Sequence, residues 1–173
     1  MAVVIARAET PDDLDAVRDL IRAFFAFAMA ELEPKSLEGA PPPPVFAGLD
    51  AELAELPGRF AAPTGCLLLA RLDGVPAGCI AYFGHDAATM EVKRMYVRPE
   101  ARGHGVGEGL IATLLAEARA AGYTRSVLST HYALRAAHRL YRRAGFLDMP
   151  CALVLPNSTE PRVSLCLEMN LAS

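Results

Sequence analysis

The chain has 173 residues, 53% of them hydrophobic, with a formal net charge of −3 and a pI near 5.8. That length suits one domain over residues 1–173 with ample side chains for a core, and the acidic balance argues against nucleic acid as a partner. No stretch approaches the roughly 18 uncharged apolar residues of a membrane span, and the N-terminus lacks a signal peptide's apolar run, so a cytoplasmic protein without membrane contact is expected.

Residues 3–8 alternate enough to form a first strand, and Thr10-Pro11-Asp12-Asp13 reads as a helix start with cap, N1 proline and first-turn acids. The helix that follows carries Leu14, Val17, Ile21, Phe24 and Ala28 on one stripe, with Phe25, Phe27 and Met29 off it. Pro41 to Pro44 read as an extended loop, and residues 50–56 as a short helix ended by Pro57-Gly58. Six acids and one base lie between Glu31 and Glu55, either a solvated face or an attraction for a cationic amine. Two apolar runs, 66–72 and 75–83, flank Asp73-Gly74 as a hairpin covered on both faces. Further strands are expected at 89–97, 126–130, 147–155 and 162–171, with helices from the glycine-rich stretch to Gly122 and over 133–144. The cysteines (Cys66, Cys79, Cys151, Cys166) show no C-x-x-C and the histidines no ligand spacing, so reduced, mostly buried thiols and no metal are expected.

The stretch from Glu91 to Leu110 carries the chemistry. Strand formers run to Val97, Pro99 stops the strand, and glycines at 103, 105, 107 and 109 lead into an amphipathic run. A strand, a glycine turn and a helix N-terminus in that order favour an anion such as a diphosphate. A P-loop is excluded, because no Gly-Lys-Ser/Thr follows, and the G-x-G-x-x-G fingerprint fails at Glu108 in one register and Leu110 in the other. What fits is R-x-x-G-x-G at Arg102, Gly105 and Gly107.

With these residues the chain resembles the GCN5-related N-acetyltransferases, whose pattern V-x-P-x-x-R-G-x-G-x-G-x-x-L matches Val97, Pro99, Arg102, Gly103, Gly105, Gly107 and Leu110. A second motif, similar to the family's A-x-x-L-Y-x-x-x-G-F, is present at Ala137, Leu140, Tyr141, Gly145 and Phe146. The resemblance covers nearly the whole chain. It implies a single-domain α/β fold of the acyl-CoA N-acyltransferase type, with a mixed, mostly antiparallel central sheet of about seven strands flanked by helices. Acetyl-CoA is the implied cosubstrate, held by Met95, Tyr96 and Val97 on the strand and by Arg102, Gly103, His104, Gly105, Val106 and Gly107 in the turn. The implied catalytic residues are Glu91 as general base and Tyr141 as donor to the departing sulfur, acting on a primary amine of a small molecule or peptide. Leu134 departs from the family's usual asparagine.

Glu91 lies six positions before Val97, an even offset that places both on one face of the strand unless a bulge intervenes. Pairing of Glu91 with Lys93 is the competing use of that carboxylate. Ten bases against three acids from Lys93 to Arg143, with Arg135, Arg139, Arg142 and Arg143 striping one helix, would give a basic rim for the phosphates of coenzyme A. His131 is a reserve base or substrate contact. A monomer or homodimer is expected. The alternative function is a non-catalytic acetyl-CoA sensor or interaction module, and a hydroxyl acceptor is a third reading.

Overall fold

In the computed structural model, which describes residues 1–32, 48–151 and 164–172, one seven-stranded sheet runs through the molecule in the order β1-β2-β3-β4-β5-β7-β6. Its strands are β1 (Val3–Arg7), β2 (Gly65–Leu72), β3 (Val75–Gly84), β4 (Thr89–Val97), β5 (Arg125–His131), β6 (Leu147–Met149) and β7 (Ser164–Asn170). All neighbours are antiparallel except β4 and β5. The helices are α1 (Pro11–Leu32), α2 (Leu49–Glu55), α3 (Val106–Ala120) and α4 (Arg135–Ala144), with single 3-10 turns at Gly58–Phe60 and Pro99–Ala101.

The expected two-sided burial of the hairpin follows from where the helices lie. Leu68, Ala70, Ile80 and Tyr82 face a core filled by Leu110, Ile111 and Leu114 of α3 and Tyr141 of α4. Leu67, Leu69, Cys79 and Ala81 face Val17, Leu20 and Ile21 of α1 and Leu53 of α2. A site for a ligand would therefore have to lie at an edge or a gap of this sandwich.

Four expectations need correcting. α3 begins at Val106, before the apolar periodicity does, because Gly107 and Gly109 are helical and serve close packing: a Cβ on Gly109 would lie 2.7 Å from Ile5 Cδ1. The strand expected over 147–155 stops at Met149, where Pro150 has no N–H to continue the ladder; residues 152–155 and the proline run at 41–44 lie outside the described residues. Cys151 and Cys166 are joined in a disulfide, with Cα atoms 5.1 Å apart, whereas Cys66 and Cys79 are free and buried. Antiparallel pairing of Met149 with Cys166 brings Cys151 back alongside, a proximity that cysteine spacing does not encode. Lastly, a bulge breaks the even count along β4.

Candidate active site

The bulge is the key to the site. Ala81 pairs with Lys93 and Cys79 with Tyr96, so Ile80 faces both Arg94 and Met95, and Arg94 takes a positive φ of 58°. Such a backbone costs roughly 1–2 kcal/mol for a side-chain-bearing residue. It is held by the Arg94 Nε bond to Glu52 Oε1 at 2.6 Å, by the guanidinium lying 5.4 Å from the Phe25 ring centroid, and by Cys79 Sγ donating to the Arg94 carbonyl at 3.3 Å. As a result Glu91, opposite Phe83, and Tyr96, opposite Cys79, face α1, whereas Val97, opposite Gly78, faces α3. Glu91 and Val97 lie on opposite faces, which corrects the shared face that an unbulged strand would give.

Beside the bulge the sheet opens. Pairing of β4 with β5 is limited to Thr89 with Arg125, Met90 with Ser126 and Glu91 with Val127, yet β5 stays paired to β7 as far as His131. From Val92 onward the two strands diverge. The Arg98 N–H donates to the Ala77 carbonyl at 2.9 Å, and N–H direction alternates along a strand. The N–H groups of Val97 and Met95 therefore point to the β5 side, into the gap, while that of Tyr96 points to β3. Tyr96 contributes its ring instead, 5.9 Å from Phe24 on α1.

The glycine turn closes one end of this gap. Gly103 and Gly105 have φ of 80° and 78°, and a Cβ at either would meet no atom within 4 Å. Gly105 is the N-cap of α3 with no side-chain cap, so among the described residues the first-turn amides are free for an anion, and the helix dipole favours one. Gly107 has a different task, since a Cβ there would lie 3.0 Å from Leu140 Cδ2 and 3.5 Å from Met95 Cε. Val106 is buried and His104 is exposed. Arg102 bends back over the end of β4, its Nε donating to the Val97 carbonyl at 3.2 Å and its guanidinium lying 5.5 Å from the Phe27 ring centroid on α1. An open backbone cradle with an adjacent arginine fits the diphosphate of coenzyme A.

Glu91 is 3% exposed. Its Oε1 is ion-paired with the Lys93 ammonium, the competing use anticipated from sequence, and its Oε2 lies 2.6 Å from His85 Nε2. No ligand spacing in the sequence singles out His85; the signal for it is its place in the β3–β4 hairpin, six residues before Glu91. Tyr141 is buried with its ring 5.8 Å from Phe146, and burial pushes its phenol well above the usual tyrosine range. The α4 N-cap, Leu134, offers no side-chain cap; His138 Nε2 instead donates to the His131 carbonyl at 2.9 Å, and His131 Nδ1 accepts from the Ala133 N–H at 3.1 Å. Burial, then the neighbouring His138, hold the His131 pKa below the ordinary histidine value.

The basic rim is thinner than its count suggests. Arg142 pairs with Asp148 at 2.9 Å and Arg143 with Glu108 at 2.7 Å, which leaves Arg135 and Arg139 exposed without a partner among the described residues. On the acidic side, Glu52 is bound by both Arg59 and Arg94, so it offers little to a cationic amine. Among the described residues no cluster of His, Cys, Asp and Glu could hold a metal, and no helix is long and apolar enough to cross a membrane.

Known proteins are similar to this chain. An uncharacterized N-acetyltransferase of Schizosaccharomyces pombe is 32% identical over 147 residues, 83% of this chain and 82% of its own. The N-acetylaspartate synthetase of Rattus norvegicus is 34% identical over 115 residues, and the match covers 64% of this chain but 38% of that longer protein. The PaiA N-acetyltransferase of Thermoplasma acidophilum, crystallised with coenzyme A, superposes with a TM-score of 0.73 at 16% identity over 98% of this chain and 99% of its own, so the fold is shared. The family model for the acetyltransferase (GNAT) family matches residues 22–146. With the glycine turn, the opened strand pair and Tyr141 all inside that match, the chain belongs to the acetyltransferase (GNAT) family.

Proposed function

We propose that the protein transfers the acetyl group of acetyl-CoA directly to a primary amine of a small molecule or peptide. The observation that carries this reading is the cradle of Gly103 and Gly105 at the α3 N-terminus, opening onto the gap between β4 and β5. Bound there, acetyl-CoA supplies an already activated acyl group. The chain's own residues then have four tasks. The amides from Gly103 to Gly107 hold the diphosphate with Arg102 beside it. The N–H groups of Met95 and Val97 take the pantetheine arm and face the thioester oxygen. The pair formed by Glu91 and His85 receives the amine's proton, which is needed because a lysine-like amine has a pKa of about 10.4.

Tyr141 donates a hydrogen bond to the departing sulfur. With reference values of about 8.5 for a thiol and about 10 for tyrosine, full proton transfer from phenol to thiolate is uphill by about 2 kcal/mol, and burial of Tyr141 adds to that. A donor that keeps its proton is the role its environment supports.

Incubation with acetyl-CoA and a panel of amines, following thiol release, tests the reading. Amine-dependent release that falls at least about 10-fold in Tyr141→Phe is expected. Coenzyme A binding without any amine-dependent release would instead favour the non-catalytic module, a reading motivated by Leu134 and by the occupied oxygens of Glu91.

A further inference from the structure

Within the acetyltransferase reading, we propose that the amine's proton is taken by His85 through its Nδ1 atom, and that Glu91 is the buried charge that positions and supports that ring. Glu91 Oε2 is hydrogen-bonded by His85 Nε2 at 2.6 Å, while Oε1 is buried beside the Lys93 ammonium as an ion pair and has no hydrogen-bond partner among the described residues. To accept a proton itself, the carboxylate would have to give up an ion pair or a short hydrogen bond inside the fold. Opposite an ionised carboxylate oxygen, Nε2 must carry hydrogen. The neutral ring then presents the lone pair of Nδ1.

Exposure points the same way. The His85 side chain is 38% accessible and that of Glu91 is 4%, so the imidazole, not the carboxylate, is the member of the pair that solvent and a solute can touch. The ring is also held. It packs 5.1 Å from the Phe83 ring centroid, the His85 N–H donates to the Thr89 carbonyl at 2.9 Å, and Asp86 Oδ1 closes the hairpin by accepting from the Ala88 and Thr89 amides at 2.8 and 2.7 Å. The charged groups around it are Glu91 and Asp86, Lys93 beside Glu91, and Arg59, whose guanidinium lies over the Phe83 ring at 4.4 Å from its centroid.

The proton count closes. An ammonium acceptor gives one proton to Nδ1, forming an imidazolium that faces the Glu91 carboxylate. The freed lone pair forms the new N–C bond to the acetyl carbon, the C–S bond breaks, and its electron pair leaves on sulfur toward Tyr141. A second N–H proton of the acceptor ends on that thiolate through solvent, and the imidazolium releases its own proton to bulk water.

Two measurements test this. Long-range proton–nitrogen spectra of the histidine side chains, which need no acceptor, should show His85 as the Nε2–H tautomer in the wild type and a changed pattern in Glu91→Gln; an Nδ1–H tautomer in the wild type overturns the proposal. In the thiol-release assay, with the panel amine that the wild type turns over fastest, His85→Ala should lose about 100-fold in kcat with an unchanged KM for acetyl-CoA. Added imidazole should restore at least about 10-fold in His85→Ala and nothing in Glu91→Gln, while His85→Gln, which can still reach the carboxylate, should stay as slow as His85→Ala. Full activity in either His85 variant, or a loss that imidazole leaves untouched, overturns the role of His85 while leaving the acetyltransferase reading intact. A wild type with no amine-dependent thiol release overturns that reading itself.

Discussion

At the scale of single residues, environment sorts groups of identical chemistry into different roles. Cys79 lies fully inside the sheet, where burial pushes its thiol up to about 12; Cys66 is raised to about 11, chiefly by burial, with Arg7 pulling the other way. A thiolate is the reactive species, so neither sulfur should react in the folded protein at neutral pH. Titration with a chromogenic thiol reagent should therefore find no reactive thiol in the native state, two after unfolding without reductant, and all four cysteines after unfolding with reductant. Four thiols in the unreduced, unfolded chain would rule out the bridge between Cys151 and Cys166. The same sorting explains what sequence could show of the site. Glu91 and Tyr141 stand out as candidates because each sits in a local pattern. That both oxygens of Glu91 are spoken for is not legible there, since it depends on how the β3–β4 hairpin folds His85 back onto the strand.

At the scale of elements, the glycine turn was legible and the strand beside it was not. The turn's requirements are local: Gly103 and Gly105 adopt a backbone that only glycine takes without strain, and their spacing states it. The bulge at Arg94 and Met95 depends on partners distant in sequence, Cys79 and Glu52, which no spacing rule along β4 reveals. These two kinds of glycine should also respond differently to substitution. Gly105→Ala meets open space, so its cost is the positive φ alone, about 1 kcal/mol of stability. Because relief of that strain turns the amides away from the diphosphate, KM for acetyl-CoA should rise about 10-fold with a smaller change in kcat. Gly107→Ala instead brings a methyl to 3.0 Å from Leu140 Cδ2, so its effect should register in the packing of α3 on α4 and in the melting temperature. A Gly105→Ala protein that binds acetyl-CoA as tightly as the wild type would remove the turn's amides from the account.

At the scale of the molecule, polar ties help fasten the helices to the sheet, and one of them makes stability depend on pH in a calculable way. Asp13 closes a reciprocal cap at the start of α1, its Oδ2 accepting from the Thr10 N–H at 3.2 Å while the Asp13 N–H donates to Thr10 Oγ1 at 3.2 Å. Its other oxygen takes Arg71 of β2 at 2.7 Å, so one carboxylate both starts the helix and pins it to the sheet. The Arg71 hydrogen bond, followed by those from Thr10, lowers the Asp13 pKa from 3.8 to about 2. A folded-state value below the unfolded one means that the stabilisation is fully present above about pH 4 and is lost as pH falls toward 2. Discounted for the solvent that reaches this pair, the contribution is about 1 kcal/mol. Arg71→Gln should therefore be about 1 kcal/mol less stable than the wild type in urea titrations at pH 7, and the difference should shrink to a small fraction of that near pH 2, where Asp13 is about half-protonated in the fold and protonated in the unfolded chain. A difference of equal size at both pH values would show that Arg71 acts through its packing on the sheet and not through its charge.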